Sequence, residues 1–253
     1  MTNKLKYFIG NWKMFGDISD FKIIQSINKF SNKSRNLIQK KRIVLCIPNT
    51  LIYNFKKKLR SKSISIGAQN CHYNQTNGPF TGSVNARMLK KLGAEYIILG
   101  HSENRAEGES SKLIKKKIIS ALDQNLNIIF CIGETSKEKR NKKTFFVIKK
   151  QIKSSLNKKF KTNKIIVAYE PIWSIGTNKI LQVKELKVVI SFIKKELKKL
   201  FKAKSPVKVL YGGSVNNNNI SLFSRISEID GFLIGGASQS SKKFIDIVKN
   251  YYR

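Results

Sequence analysis

The residue with the clearest chemical potential is Glu170, which follows an apolar run, Ile165–Tyr169, that the pattern predicts as a buried strand. Pro171 comes next and holds Glu170 in an extended backbone, so the carboxylate stands where the strand ends. The loop behind it, residues 171–179, has an aromatic anchor at Trp173 and a flexible point at Gly176. This arrangement predicts a general base under a closable lid. A strand-end glutamate in a surface salt bridge is the alternative.

Further polar side chains follow two other predicted strands. Asn11 and Lys13 come after the first strand, and His101 comes after the fourth. In a parallel barrel the carboxyl ends of all strands open onto one rim, so these groups are expected to converge with Glu170. A carboxylate, an imidazole and an ammonium group on one rim predict proton transfer next to a carbonyl. His72 lies in a loop without a recognisable partner and receives no role.

Three glycine-containing turns indicate a phosphate site. Two of them, residues 211–215 and 235–238, follow the last two strands, and the third contains Gly176. Glycine lets backbone N–H groups approach an anion closely, and the loops after the seventh and eighth strands are the usual phosphate position in a barrel. The sequence has no dinucleotide fingerprint and no metal-ligand spacing, so neither a cofactor nor a metal is expected.

Short apolar runs alternate with helical patterns from end to end. Strands are predicted at residues 7–10, 43–47, 64–68, 96–99, 128–132, 165–169, 207–211 and 231–234. Helices are predicted near residues 17–30, 51–60, 110–124, 145–160, 183–201, 218–224 and 242–251, with a short one ending at 92. Alternation of this kind predicts a parallel sheet. Eight such units predict an α/β fold, a single-domain (β/α)8 barrel over residues 1–253.

The net charge of +35 does not indicate nucleic-acid binding by itself. The lysines are spread over nearly every predicted helix, without a basic tail, zinc-finger spacing or aromatic RNA-binding signature, so drift on solvated faces is favoured. A basic surface would still speed the encounter with a small anionic substrate.

Other features of composition concern the compartment. No run of 18 apolar residues and no signal core is present, so no membrane segment is expected. The three cysteines, Cys46, Cys71 and Cys131, are odd in number and far apart, which favours a reduced, cytoplasmic protein.

Eight short stretches carry a family resemblance in matching order. They are Gly-Asn-Trp-Lys-Met at 10–14, Gly-Ala-Gln-Asn at 67–70, Phe-Thr-Gly at 80–82, Gly-His-Ser-Glu at 100–103, Cys-Ile-Gly-Glu at 131–134, the lid stretch at 168–179, Tyr-Gly-Gly-Ser-Val at 211–215 and Asp-Gly-Phe-Leu-Ile-Gly-Gly-Ala-Ser at 230–238. On these motifs the chain resembles triosephosphate isomerase along nearly its whole length.

The resemblance implies interconversion of dihydroxyacetone phosphate and D-glyceraldehyde 3-phosphate through an enediolate, in glycolysis and gluconeogenesis. It implies Glu170 as the base that shuttles the proton and His101 as the group that polarises the carbonyl. Lys13 and Asn11 would stabilise negative charge on the oxygens, and Glu103 would support Lys13. The implied phosphate cradle is formed by the backbone N–H groups of Gly176, Ser214, Gly235 and Gly236.

The resemblance also implies a homodimer, in which the loop at residues 70–82 docks into the partner near its site. Phe80 and Thr81 are therefore predicted interface residues. Asn104 and Ser83 stand where the family usually has Arg and Glu, an ion pair near the dimer contact. Because both partners are missing together, no charge is left buried and unpaired.

The lid departs from the family pattern at Ser174 (usually Ala), at Asn178 (usually Gly) and at a bulkier far hinge, Ile180-Leu181. Closure is expected to be kept, because asparagine tolerates positive φ better than most residues.

Two other functions stay open at this point. One is a barrel enzyme for a larger phosphorylated substrate, and the other is a basic binding protein that kept the barrel and lost its activity, for which salt-sensitive RNA binding would argue.

Overall fold

Eight parallel strands pair in sequence order and close into a barrel. The computed structural model describes residues 5–34, 41–59, 63–177, 179–202 and 206–253. The strands are β1 (Lys6–Asn11), β2 (Lys41–Cys46), β3 (Ile64–Ala68), β4 (Tyr96–Leu99), β5 (Asn127–Ile132), β6 (Ile165–Tyr169), β7 (Lys208–Tyr211) and β8 (Gly231–Ile234). The predicted (β/α)8 barrel is thereby confirmed.

Helices follow the strands and form the outer ring. The α-helices are α1 (Phe21–Lys33), α2 (Asn49–Lys58), α3 (Ala86–Lys91), α4 (Ser102–Ala106), α5 (Ser111–Asp123), α6 (Ser136–Arg140), α7 (Thr144–Ser155), α8 (Val183–Phe201), α9 (Ile220–Ser224) and α10 (Ser241–Tyr251). Short 3-10 helices lie at Ile18–Asp20, Thr162–Lys164, Ile172–Ser174 and Gly236–Gln239. Among the residues with described structure, no helix is both long and apolar enough to cross a bilayer.

Apolar side chains on both faces of the strands explain why the strands read as continuous apolar runs. Residues that point inward, such as Ile98, Ile129 and Leu233, form a cluster inside the barrel. Their neighbours in sequence, such as Phe130 and Phe232, point outward and pack against the helices. The two layers fix the strand ends, and with them the rim, on a rigid support.

The barrel closes where β1 meets β8. Tyr7 pairs with Gly231, and the register continues to Gly10 opposite Ile234. Gly231 has φ 154°, and a Cβ there would lie 2.1 Å from the carbonyl oxygen of Tyr7. Only glycine lets the two strands approach this closely at the seam.

Most predicted helices are present, with shifted ends. The helix predicted at 17–30 is a 3-10 turn capped by Asp17 that leads into α1. The helix predicted at 145–160 ends at Ser155, because Leu156 turns to an extended backbone. The short helices α4 and α6 were not predicted. Arg60, at the end of the second predicted helix, lies outside the described residues, as does Asn178 of the lid.

Candidate active site

The predicted site residues meet in one cavity of about 250 Å³ at the carboxyl end of the barrel. Its lining includes eight of the nine residues named from the sequence: Asn11, Lys13, His101, Glu170, Gly176, Ser214, Gly235 and Gly236. The ninth, Glu103, lines an adjoining cavity of about 320 Å³ together with Asn11, Lys13 and His101. The structure therefore brings all nine to one rim, although they come from five different strand–loop units.

Glu170 is a buried carboxylate held directly after β6. Only 4% of the residue is exposed, and its backbone N–H continues the strand ladder to Ile132 at 2.8 Å. Its Oε1 lies 3.3 Å from Nε2 of His101. Its Oε2 is buried and has no N–H or O–H donor among the described residues, although the weakly donating thiol of Cys131 lies beside the carboxylate. A buried carboxylate oxygen without a donor is available to accept a proton from a bound molecule.

Two glycines make room for this carboxylate. A Cβ at Gly133 would lie 1.8 Å from the carbonyl oxygen of Glu170, and a Cβ at Gly212 would lie 2.7 Å from its Cγ. Both positions occur in the motifs of the sequence, but nothing in the sequence assigns them to Glu170. They show that the neighbouring strand ends are shaped around the base.

His101 is oriented by the start of α4. Its Nδ1 accepts the backbone N–H of Glu103 at 3.3 Å, so the proton of the neutral ring is assigned to Nε2, which faces Glu170. Burial lowers the pKa of His101, but the carboxylates of Glu170 and, to a lesser extent, Glu103 together outweigh burial and hold that pKa above its usual value. In the same way, burial raises the pKa of Glu170, but His101 more than offsets it, so the net shift is downward.

Lys13 is fixed by its backbone as well as by its charge. It has φ 57°, a left-handed conformation that is uncommon outside glycine. Asn11 Oδ1 accepts the Lys13 N–H at 3.0 Å, and Gln69 Nε2 donates to the Lys13 carbonyl at 2.9 Å. The Lys13 ammonium contacts Glu103 Oε1 at 2.5 Å. Lys13 Nζ is thus held beside the cavity by a half-exposed carboxylate.

Gln69 is a site residue to which sequence reasoning gave no role. Its side-chain amide also approaches Asn11 Oδ1 at 3.3 Å and the Cys46 carbonyl at 3.2 Å, so it joins the ends of three strands. The available signal was a polar side chain placed just after the buried strand β3. That signal does not identify the partners, which lie more than 20 residues away in sequence.

The lid is anchored by Glu134, the second residue whose role was missed. Trp173 Nε1 donates to Glu134 Oε1 at 2.9 Å, and the Tyr169 hydroxyl donates to the same carboxylate at 3.2 Å. Burial raises the pKa of Glu134, and the Trp173 N–H partly offsets this. Lys139 lies 3.8 Å above the Trp173 ring. Trp173, the predicted aromatic anchor of the lid, is therefore held by a hydrogen bond to the buried Glu134 carboxylate and by a cation–π contact with Lys139.

The lid also reaches the loop after β7. Ser214 Oγ donates to the carbonyl of Ser174 at 2.5 Å. Gly176 has φ 70°, and a Cβ there, like one at Gly236, would find no atom within 4 Å. These glycines face open space, so their backbone N–H groups can approach a phosphate without a side chain in the way.

The chemistry available to this rim is proton transfer beside a carbonyl in a small phosphorylated molecule, which places the chain among the isomerases built on (β/α)8 barrels. A family model described as "Triosephosphate isomerase" matches residues 6–251. The chain belongs to the triosephosphate isomerase family. Its reaction is the interconversion of dihydroxyacetone phosphate and D-glyceraldehyde 3-phosphate, a step of glycolysis.

Individual relatives agree over nearly the full length. The chain is 38% identical over 244 residues to triosephosphate isomerase of Alkaliphilus metalliredigens, covering 94% of this chain and 96% of the relative. It is 38% identical to that of Aquifex aeolicus, covering 95% and 97%. The crystal structure of triosephosphate isomerase from Bartonella henselae matches with a TM-score of 0.88 and 32% identity, covering 98% of this chain and 99% of that one.

Proposed function

We propose that Glu170 is the base of this isomerisation and that His101, Lys13 and Asn11 stabilise the charge that it generates. The observation that carries the proposal is that Glu170 lines the cavity while its buried Oε2 has no N–H or O–H donor among the described residues. A surface salt bridge, the alternative reading of this glutamate, does not agree with 4% exposure. The cavity of about 250 Å³ also suits a three-carbon phosphate better than a larger substrate.

In the proposed reaction, Glu170 removes a proton from the carbon next to the carbonyl. The electron pair of the broken C–H bond forms the C=C bond of an enediolate, and negative charge develops on the carbonyl oxygen. His101 Nε2–H, Lys13 Nζ and the Asn11 side chain are the donors for the two oxygens. A proton exchange between these oxygens and return of the proton by Glu170 to the adjacent carbon complete the isomerisation.

The charges around Glu170 and His101 suit these reaction steps. While Glu170 is ionised, its carboxylate raises the pKa of His101. Once Glu170 has taken the substrate proton, its charge is gone and the upward effect on His101 disappears. Burial, Lys13 and the Glu103 N–H on Nδ1 then favour a neutral ring, and the half-exposed carboxylate of Glu103 opposes them. A neutral imidazole can donate its Nε2 proton and take one back.

The lid and the glycine turns bind the phosphate in this proposal. The backbone N–H groups of Gly176, Ser214, Gly235 and Gly236 form the cradle. The lid at residues 171–179 excludes water from the enediolate, which strengthens every interaction with the developing charge. An open lid would expose the intermediate to loss of its phosphate.

The test is the coupled-assay kcat/KM for D-glyceraldehyde 3-phosphate in the wild type and in Glu170→Gln. Loss of a positioned general base is expected to lower the rate by about 10²- to 10⁴-fold. Glu107→Gln is the matched control, because Glu107 is an exposed residue at the end of α4. Comparable activity of Glu170→Gln and the wild type would contradict the assignment of the base. Absence of activity in the wild type, with salt-sensitive RNA binding, would support the binding-protein alternative.

We also propose that the chain is one domain that forms a homodimer through the loop at residues 70–82. Phe80 and Thr81 are exposed in the single chain, as is Tyr73 on the same loop, and Met14 is exposed on the loop after β1. An exposed apolar surface of this kind is typical of an interface. His72 stacks between Tyr73 and Phe80, with ring centroids at 4.4 and 4.3 Å, and stiffens the loop.

The departures at the dimer contact are compatible with this proposal. Ser83 is exposed and Asn104 is half-buried, so the missing ion pair leaves no buried charge behind. We further propose a cytoplasmic location, which is supported by three free, buried cysteines, Cys46, Cys71 and Cys131.

A further inference from the structure

Ser174 is a fully buried lid residue whose hydroxyl makes two hydrogen bonds to backbone groups. Its Oγ donates to the carbonyl of Lys179 at 2.5 Å, at the far end of the lid. The same Oγ accepts the backbone N–H of Ser214 at 3.3 Å, across the gap to the loop after β7. Ser174 is 0% exposed, so water cannot take the place of either hydrogen-bond partner in this conformation.

The N–H of Ser214 is also one of the four groups assigned above to the phosphate. A backbone amide has one proton to donate, so an N–H directed at Ser174 Oγ is not fully available to a second acceptor. Ser214 is therefore a cradle residue whose N–H already has an acceptor on the lid.

We propose that the Ser174 hydroxyl is a positioning group that holds the Ser214 N–H before substrate binds and competes with the substrate phosphate for it. This inference rests on the proposed phosphate cradle. Binding of the phosphate turns the N–H from Ser174 Oγ to the phosphate oxygen. The hydroxyl keeps its bond to the Lys179 carbonyl in both states, so the lid stays internally tied while Ser214 changes its acceptor.

The lid has a second tie to Ser214 that does not involve this hydroxyl. Ser214 Oγ donates to the backbone carbonyl of Ser174 at 2.5 Å, and Thr177 Oγ1 approaches the same carbonyl at 3.2 Å. Ser174→Ala therefore removes the competing acceptor and leaves the backbone tie in place. Ser214→Ala does the reverse, because it keeps the N–H and removes the tie. The two variants separate competition for the N–H from anchoring of the lid.

The experiment is calorimetric titration of the whole protein with inorganic phosphate, alongside steady-state kinetics with D-glyceraldehyde 3-phosphate. Ser174→Ala is expected to bind phosphate about 2- to 10-fold more tightly. In this variant the Ser214 N–H does not have to give up a hydrogen bond to Ser174 Oγ before it bonds to the phosphate. Its KM is expected to fall in parallel, without a gain in kcat. Ser214→Ala is expected to bind phosphate more weakly. Ser224→Ala is the matched control, because its hydroxyl bonds only within α9, away from the cavity.

Unchanged or weaker phosphate binding in Ser174→Ala would overturn the inference, because a purely structural role of the hydroxyl predicts weaker binding. If Ser174→Ala does not fold, Ser174→Cys serves instead, since a thiol is a weak acceptor and the same tightening is expected. Failure of the inference is distinct from failure of the proposed function. In the first case the wild type binds phosphate and only the affinity change in Ser174→Ala is missing; in the second the wild type does not bind inorganic phosphate, or Glu170→Gln keeps the wild-type rate.

Discussion

The contact between Gly212 and Glu170 offers a direct test of how tightly the base is held. A Cβ at position 212 would lie 2.7 Å from Glu170 Cγ. Two nonbonded carbons are comfortable at about 3.5 Å or more, so Gly212→Ala leaves the pair roughly 0.8 Å too close. Gly212 does not have a positive φ, so alanine fits its backbone, and the Glu170 side chain has to move instead.

A displacement of this size acts on the chemical step. A shift of about 1 Å in a reacting group costs on the order of 10²-fold in rate. We therefore expect Gly212→Ala to lower kcat by about 10- to 100-fold, or about 1.4–2.7 kcal/mol in activation free energy. KM is expected to change little, because the phosphate donors lie on other residues.

The assay is steady-state kinetics in the isomerisation direction, with thermal unfolding measured on the same samples. Gly67→Ala is the control: its added Cβ would crowd Cys46 Sγ at 2.6 Å in the barrel and would not contact Glu170. This control is expected to lower the melting temperature while kcat stays within about threefold of the wild type. If Gly212→Ala also keeps kcat within that range, the contact with Gly212 does not fix the position of Glu170 and the reasoning is refuted.

Three other predictions follow from the described contacts. Glu170→Gln is expected to lower the pKa of His101 in an NMR titration, since the carboxylate that raises this pKa is removed; an unchanged pKa would contradict the coupling. Phe80→Asp, which puts a charge on the proposed interface, is expected to give monomers in sedimentation experiments, and a persistent dimer would argue against this loop. Lys117→Met leaves the buried carboxylate of Glu109 without its ammonium partner and should cost about 3–5 kcal/mol in urea unfolding, whereas adding Glu109→Leu should recover most of that loss.

The sequence predicts the barrel well because its strands are buried on both faces. In β6 all five residues are buried, so both faces of the strand must be covered. A parallel sheet with helices packed on it provides this cover. The short helices α4 and α6 escape prediction for a physical reason. Each has five residues and no buried side chain, so it lacks an apolar stripe and depends on local capping, such as that of His101 at α4.

Site residues also differ in how far their roles can be predicted from neighbouring sequence. Glu170 is predictable because its position follows from one strand and one proline next to it. The role of Glu134 is not, since its partner Trp173 lies 39 residues away and only the folded chain brings them together. The role of Gln69 is equally hidden, because its partners are also distant in sequence. The space that Gly212 leaves for Glu170 is visible only in the folded structure. The sequence therefore predicts which groups reach the rim, and the structure adds what holds them there.

The pairing of β1 with β8 has a consequence for synthesis of the chain. One edge of β1 finds its partner only when Gly231–Ile234 has been made. Translation proceeds at about 5–20 residues per second, so the roughly 220 residues between these strands take about 10–45 s. During that interval the N–H and C=O groups on that edge have no native partner, and an open strand edge can pair with other chains. Asn11 and Gly236, at opposite ends of the polypeptide, complete the cavity only after that delay, so a nascent chain is inactive until almost its last helix.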